Sequence, residues 1–60
     1  MIFNLMGFPK FRRFAAGDGY DTWEASLRNN GFPSARVHDY NDLIYEMDDI
    51  EYTWFVLRWS

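Results

Sequence analysis

The sequence predicts a small α+β domain: an antiparallel sheet of three to four strands with one helix packed on a face, in the order β-α-β-β-β. Three observations carry this prediction. One segment, about 21 to 30, has helical spacing between a start and a stop signal. Several others alternate side chains with the two-residue period of a strand, and Gly, Pro, Asn and Asp punctuate the chain at short intervals. Sixty residues leave room for one core, so residues 1–60 are read as a single domain.

The first strand is expected after Pro9, where Lys10-Phe11-Arg12-Arg13-Phe14-Ala15-Ala16 is β-compatible and stops at the turn Gly17-Asp18-Gly19. Whether Ile2 to Met6 extends that strand or forms its own is left open by the pattern. The helix is expected to begin at Asp21, with Glu24 reaching back in a capping box. Tyr20, Trp23 and Leu27 then share one face, Glu24 and Arg28 pair four apart, and Gly31 supplies a left-handed stop. Ala35 to Tyr40 alternates as a short strand.

Residues 41–47 fit two readings. As a strand, Leu43, Tyr45 and Met47 share a face; as a helix, Asn41 caps and Leu43, Ile44, Met47 and Ile50 line one side. The strand reading is preferred, because Asp48 and Asp49 are unfavourable at a helix carboxyl end. Asp48-Asp49 is then a tight turn into a last strand, Ile50 to Trp59. Both faces of that strand are apolar, so it is expected to be central or covered on both sides. Trp23 and Trp54 are assigned to the core, and Trp59, near the end, to a site buried by the sheet or by a partner.

Composition limits the possibilities further. A chain of this length buries only about 60% of the surface its unfolded form exposes, so its core needs a supplement. There is no cysteine to form a disulfide, whereas six Phe, four Tyr and three Trp make up 22% of the residues. Large aromatic side chains are the expected supplement, and dimerisation is another. The amino-terminal apolar stretch is too short to span a bilayer and lacks the basic start of a secretory signal. With no cysteine, this sets the expected location as the cytoplasm, or the host cytoplasm for a viral protein.

Charge gives the main functional signal. Residues 1–36 carry five basic against three acidic side chains, a net of +2, while residues 37–60 carry six acids against Arg58, a net of −5. Asp39, Asp42, Glu46, Asp48, Asp49 and Glu51, with Tyr40 and Tyr45 among them, are expected to form a connected acidic face. Such a face would dock on a basic protein surface or partly imitate nucleic-acid phosphates. The alternative site is Lys10, Arg12 and Arg13 with Phe11, which could grip a single strand of nucleic acid through phosphate contacts and base stacking.

Catalysis has little to work with. There is one histidine, His38, and on a strand it points away from its neighbour Asp39; the serines are Ser26, Ser34 and Ser60. The carboxylate spacing fails the calcium-loop pattern, with Leu43 and Ile44 where a ligand and a glycine are required. No catalytic residue, metal or cofactor is expected.

The expected function is therefore a non-enzymatic protein-binding module that presents an acidic face to a basic partner, with a homodimer as a further possibility. In general character alone it resembles the short inhibitors that viruses of bacteria make against host nucleic-acid enzymes. Single-strand nucleic-acid binding is the second reading, a small structural subunit of a larger assembly the third.

Overall fold

The structure, a computed structural model, describes all of residues 1–60. The chain runs β1 (Ile2–Asn4), a 3-10 turn (Leu5–Gly7), α1 (Pro9–Ala15), α2 (Trp23–Asn29), β2 (Arg36–Asp39), β3 (Ile44–Glu46) and α3 (Asp49–Trp59). The three strands form one antiparallel sheet in the order β1-β3-β2. The class is α+β as expected, but the element order is β-α-α-β-β-α, with three helices in place of one.

Two expected strands are helices. Residues 10–16 fall within or beside α1, because Pro9 presets the backbone of the first turn and Phe11 and Ala15, four apart, form its buried side. Lys10 and Arg13 lie outward. The run from Ile50 to Trp59 belongs to α3, whose inner side carries Tyr52, Phe55, Val56 and Trp59 at helical spacing. Asp48 is the residue at its N-cap, and the Tyr52 N–H donates to the Asp48 carbonyl at 2.8 Å. Asp49 and Glu51 occupy the first turn and Arg58 the last, an arrangement that suits the helix dipole. The two aspartates thus start a helix where a tight turn was expected. The second apolar side of this run obscured its period: Trp54, assigned to the core, is exposed, while Phe55 beside it is fully buried.

α2 lies where the expected helix was, but its cap is Thr22 and not Asp21. The Thr22 Oγ1 accepts the Ala25 N–H at 3.1 Å. Glu24 is left free for β2, accepting the Val37 N–H at 2.9 Å, and Arg28 donates from Nε to the Ala35 carbonyl at 2.9 Å. The expected Glu24–Arg28 pair gives way because the open edge of β2 has backbone groups to satisfy. Gly31 follows α2 with φ of 103°, the left-handed stop the sequence indicated.

β2 and β3 form a hairpin, and β1 pairs on the other side of β3, with Tyr45 opposite Val37 and Phe3. Leu43 takes a left-handed φ of 57° at the foot of β3, and its carbonyl accepts the Leu5 N–H at 2.9 Å. Tyr45 and Met47 are buried on the face that the strand reading gave them. β1 is formed by Ile2–Asn4, separate from the segment after Pro9.

One aromatic cluster joins these elements. The Phe55 ring lies 4.6 Å from Phe8, 5.3 Å from Phe11, 5.3 Å from Phe32 and 5.5 Å from Phe3, centre to centre. Those four come from the turns and helices around the sheet and from β1 itself. Trp59 closes one end against Phe11 and Phe14, and its Nε1 is buried without an acceptor. Below α2, Ser26 is the one buried polar residue; its hydroxyl donates to the Asp18 carboxylate, which also receives the Tyr20 N–H at 3.2 Å and the Asn30 amide at 3.4 Å. The Ser26 bond, joined by those from Tyr20 and Asn30, holds the Asp18 carboxyl below its ordinary value despite some desolvation.

Replacing Phe55 by Ala is expected to cost about 3–5 kcal/mol, against a total near 3–9 kcal/mol for a chain of this size. Circular dichroism should show that variant largely unfolded, while Trp54→Ala melts within a few degrees of the parent. A reversed ranking would restore the strand reading. Because the Asp18 carboxyl is depressed in the folded chain, its contribution is complete above the unfolded value near 3.8 and is lost as pH falls through the folded one. Acid titration of Asp18→Asn, followed by fluorescence, should therefore show a weaker loss of stability below about pH 4 than the parent shows.

Candidate functional site

The hairpin and the start of α3 carry the acidic residues. At the hairpin tip the Asp39 carboxylate accepts the backbone N–H groups of Asn41 at 3.0 Å and Asp42 at 3.2 Å, closing its own turn. Tyr40 and Asp42 stand exposed beside it. On β3, Glu46 lies 3.5 Å from Arg36 and 4.0 Å from His38 across the hairpin, and the Arg36 guanidinium offsets its charge. At the start of α3, Asp49 is 3.3 Å from the terminal amine and Asp48 makes no side-chain cap bond.

Glu51 serves the fold. Its Oε1 accepts the Ser34 N–H at 2.9 Å and the Ser34 hydroxyl at 2.6 Å, and the Ser34 Oγ accepts the Asp48 N–H at 3.0 Å. That chain ties α3 to the loop before β2. Tyr45 is a core residue, and burial raises its phenol pKa, with smaller contributions from Tyr40 and Glu24. Asp39 and Asp42 thus lie before β3 and Asp48, Asp49 and Glu51 after it, with Glu46 on the strand between them.

Lys10, Arg12 and Arg13 all lie on α1, where Arg12 and Arg13 border one open groove with Pro9, Ala16 and Trp23. Phe11 is fully buried and offers no ring for stacking. Arg12 donates from Nε to the Leu5 carbonyl at 3.2 Å and from Nη2 to that of Met6 at 3.4 Å, bracing the turn before α1. The Lys10 Nζ lies 3.3 Å from the Ser60 carbonyl, and Arg13 is exposed. Phe14 lies against Trp59 at 5.0 Å, which leaves only part of its ring to solvent.

The groups with catalytic potential sit with different partners: Ser26 with Asp18, Ser34 with Glu51, His38 with Glu46. No group of three His, Cys, Asp or Glu residues comes close enough to hold a metal ion. A cleft of about 270 Å³ lies between the end of α1 and the start of α2, bordered by Tyr20, Asp21, Trp23 and Tyr40. No helix is long and apolar enough to cross a membrane.

The surface that sequence reasoning missed is the outward side of α3. Ile50, Trp54 and Leu57 are 75%, 64% and 71% exposed. Their spacing of four and three puts them on one stripe about 10 Å long. Trp54 and Leu57 also border an open groove of about 420 Å³ with Asn30, Gly31, Phe32 and Arg58. The signal was present as the 50-54-57 spacing, hidden because it runs through a segment whose other side is apolar as well.

A scan against protein-family models, a search of curated proteins and a search of solved structures each return no match.

Glu51 and Asp42 differ in what their removal should do. Glu51→Ala is expected to cost about 1–3 kcal/mol, because the Ser34 hydroxyl and N–H lose a charged acceptor. Asp42→Ala should stay within about 0.5 kcal/mol of the parent. Urea unfolding compares them directly; equal losses would mean that Glu51 does not hold the loop.

Proposed function

We propose that the protein is a non-enzymatic module that binds another polypeptide, with α3 as its recognition element. One observation supports this above the others: the exposed stripe Ile50, Trp54 and Leu57. A 60-residue chain with one small core nonetheless leaves an isoleucine, a tryptophan and a leucine in water on one helix face. Isolated exposed apolar residues are ordinary on protein surfaces, whereas a contiguous set marks a place that a partner covers. Tryptophan at the middle of such a set is the residue type whose removal most often costs an interface heavily.

Charged residues flank the exposed stripe along the helix. Asp48 and Asp49 stand at one end of the stripe and Arg58 at the other. The acids favour a partner with basic groups near the first turn of α3, which keeps the basic partner expected from the sequence and moves its contact onto the helix. The apolar stripe supplies the desolvated contact that slows release, and the end charges orient the encounter.

The reading predicts that Trp54→Ala weakens binding by about 2 kcal/mol or more, roughly thirtyfold, and leaves the folded signal in place. Size-exclusion chromatography of an extract from the producing cells should show the parent above its 7.2 kDa monomer mass and Trp54→Ala at it. A parent that elutes as a free monomer would count against α3 as a binding surface. So would a Trp54→Ala variant still held in the larger species.

A further inference from the structure

We infer that the polypeptide covering α3 is a second copy of this chain, packed antiparallel about a two-fold axis that passes close to Trp54. This rests on the reading of α3 as a binding surface and names its occupant.

The stripe is complementary to itself. Ile50 and Leu57 lie at equal distances from a point between Thr53 and Trp54. When a second α3 is laid antiparallel on the first, each Ile50 faces the Leu57 of the other copy, and the two Trp54 rings meet beside the axis. A two-fold interface needs this property, since one patch must fit its own image. The groove that Trp54 and Leu57 share with Asn30, Gly31 and Phe32 opens where Ile50 of the second copy would arrive, giving that side chain a receptacle.

Charge selects the same orientation. The amino-terminal end of α3 carries Asp48 and Asp49, the latter 87% exposed though 3.3 Å from the terminal amine, with Glu51 one turn on, so the end stays net acidic. Its carboxyl-terminal end carries Arg58, and the Lys10 ammonium lies beside the Ser60 carbonyl. An antiparallel pair brings acidic end alongside basic end and opposes the helix dipoles; a parallel pair would bring like ends together. A hydrophobic patch with acid at one end and base at the other is most simply matched by its own copy turned end for end.

Size fits a modest dimer. A specific interface takes about 600 Å² from each partner at its lower limit. That is between a sixth and a seventh of the 3949 Å² surface of this chain. An interface near that limit, centred on one helix about 16 Å long, belongs with the small, transient class of contacts. The association would also supply the apolar burial that a core of this size lacks.

Sedimentation equilibrium from about 1 μM to 1 mM tests this. The parent is expected to move from 7.2 kDa towards twice that mass. Leu57→Lys should remain monomeric with an unchanged circular dichroism spectrum. Asp49→Lys and Arg58→Glu should each weaken the dimer about tenfold or more, and the two together should recover part of the loss because the ends are again complementary. A folded parent that stays monomeric throughout overturns the proposal. So does a Leu57→Lys variant that dimerises like the parent. A photoreactive phenylalanine in place of Trp54, activated in the producing cells, separates the two levels of inference. A product of twice the monomer mass supports the second copy. A product with a different polypeptide overturns the second copy and keeps α3 as the binding surface, and no product overturns both.

Discussion

Phe55 is the contact on which the rest of this fold depends. It projects from α3 between rings supplied by β1, the turn before α1, α1 itself and the loop after α2. Elements this short cannot stand alone: two of the helices have seven residues, well below the length at which an isolated helix is stable in water. Their stability comes from the shared ring cluster, whose tilted and edge-on arrangements let several aromatics pack around one centre. Aromatic packing takes the place that disulfides hold in many other domains of this size.

A core this small leaves many backbone groups near its margin, and charged side chains satisfy them. Glu24 and Arg28 bond the β2 segment, Glu51 holds the Ser34 loop, Arg12 braces the turn before α1, and Asp18 gathers Ser26, Asn30 and the Tyr20 N–H. These charges have structural work within the domain. A charge count along the sequence therefore overstates what is left for a partner. Of the thirteen-residue acidic segment, Asp42 at the tip and Asp48 at the start of α3 carry carboxylates with no hydrogen bond or ion pair within the domain.

α3 has two apolar sides with different roles. Tyr52, Phe55, Val56 and Trp59 face the core, while Ile50, Trp54 and Leu57 face solvent. The same helix therefore organises the domain and presents an exposed apolar stripe, and Phe55 and Trp54, adjacent in sequence, lie on its two sides. Binding at the outer side would couple directly to stability, because anything held on α3 also holds the element that carries Phe55.

By itself the sequence determined the class, the single core and its aromatic character. It also determined the α2 segment with its Gly31 stop, and it favoured, between two readings, the strand that places Tyr45 and Met47 on one face. These follow from local signals: helical spacing ahead of a stop, a two-residue alternation, and acids unsuited to a helix carboxyl end. The tertiary structure decided the state of the segments after Pro9 and after Asp48. Phe11 and Phe14 with arginines between them fit either period, and Ile50 to Trp59 is apolar on both sides, so neither pattern fixes helix or strand until a neighbour selects one face. It likewise decided which acids remain free. Whether Glu51 or Asp42 meets solvent depends on Ser34, seventeen residues before Glu51 in the chain, being brought beside it. Packing makes that choice, since periodicity describes one element and burial is a relation between several.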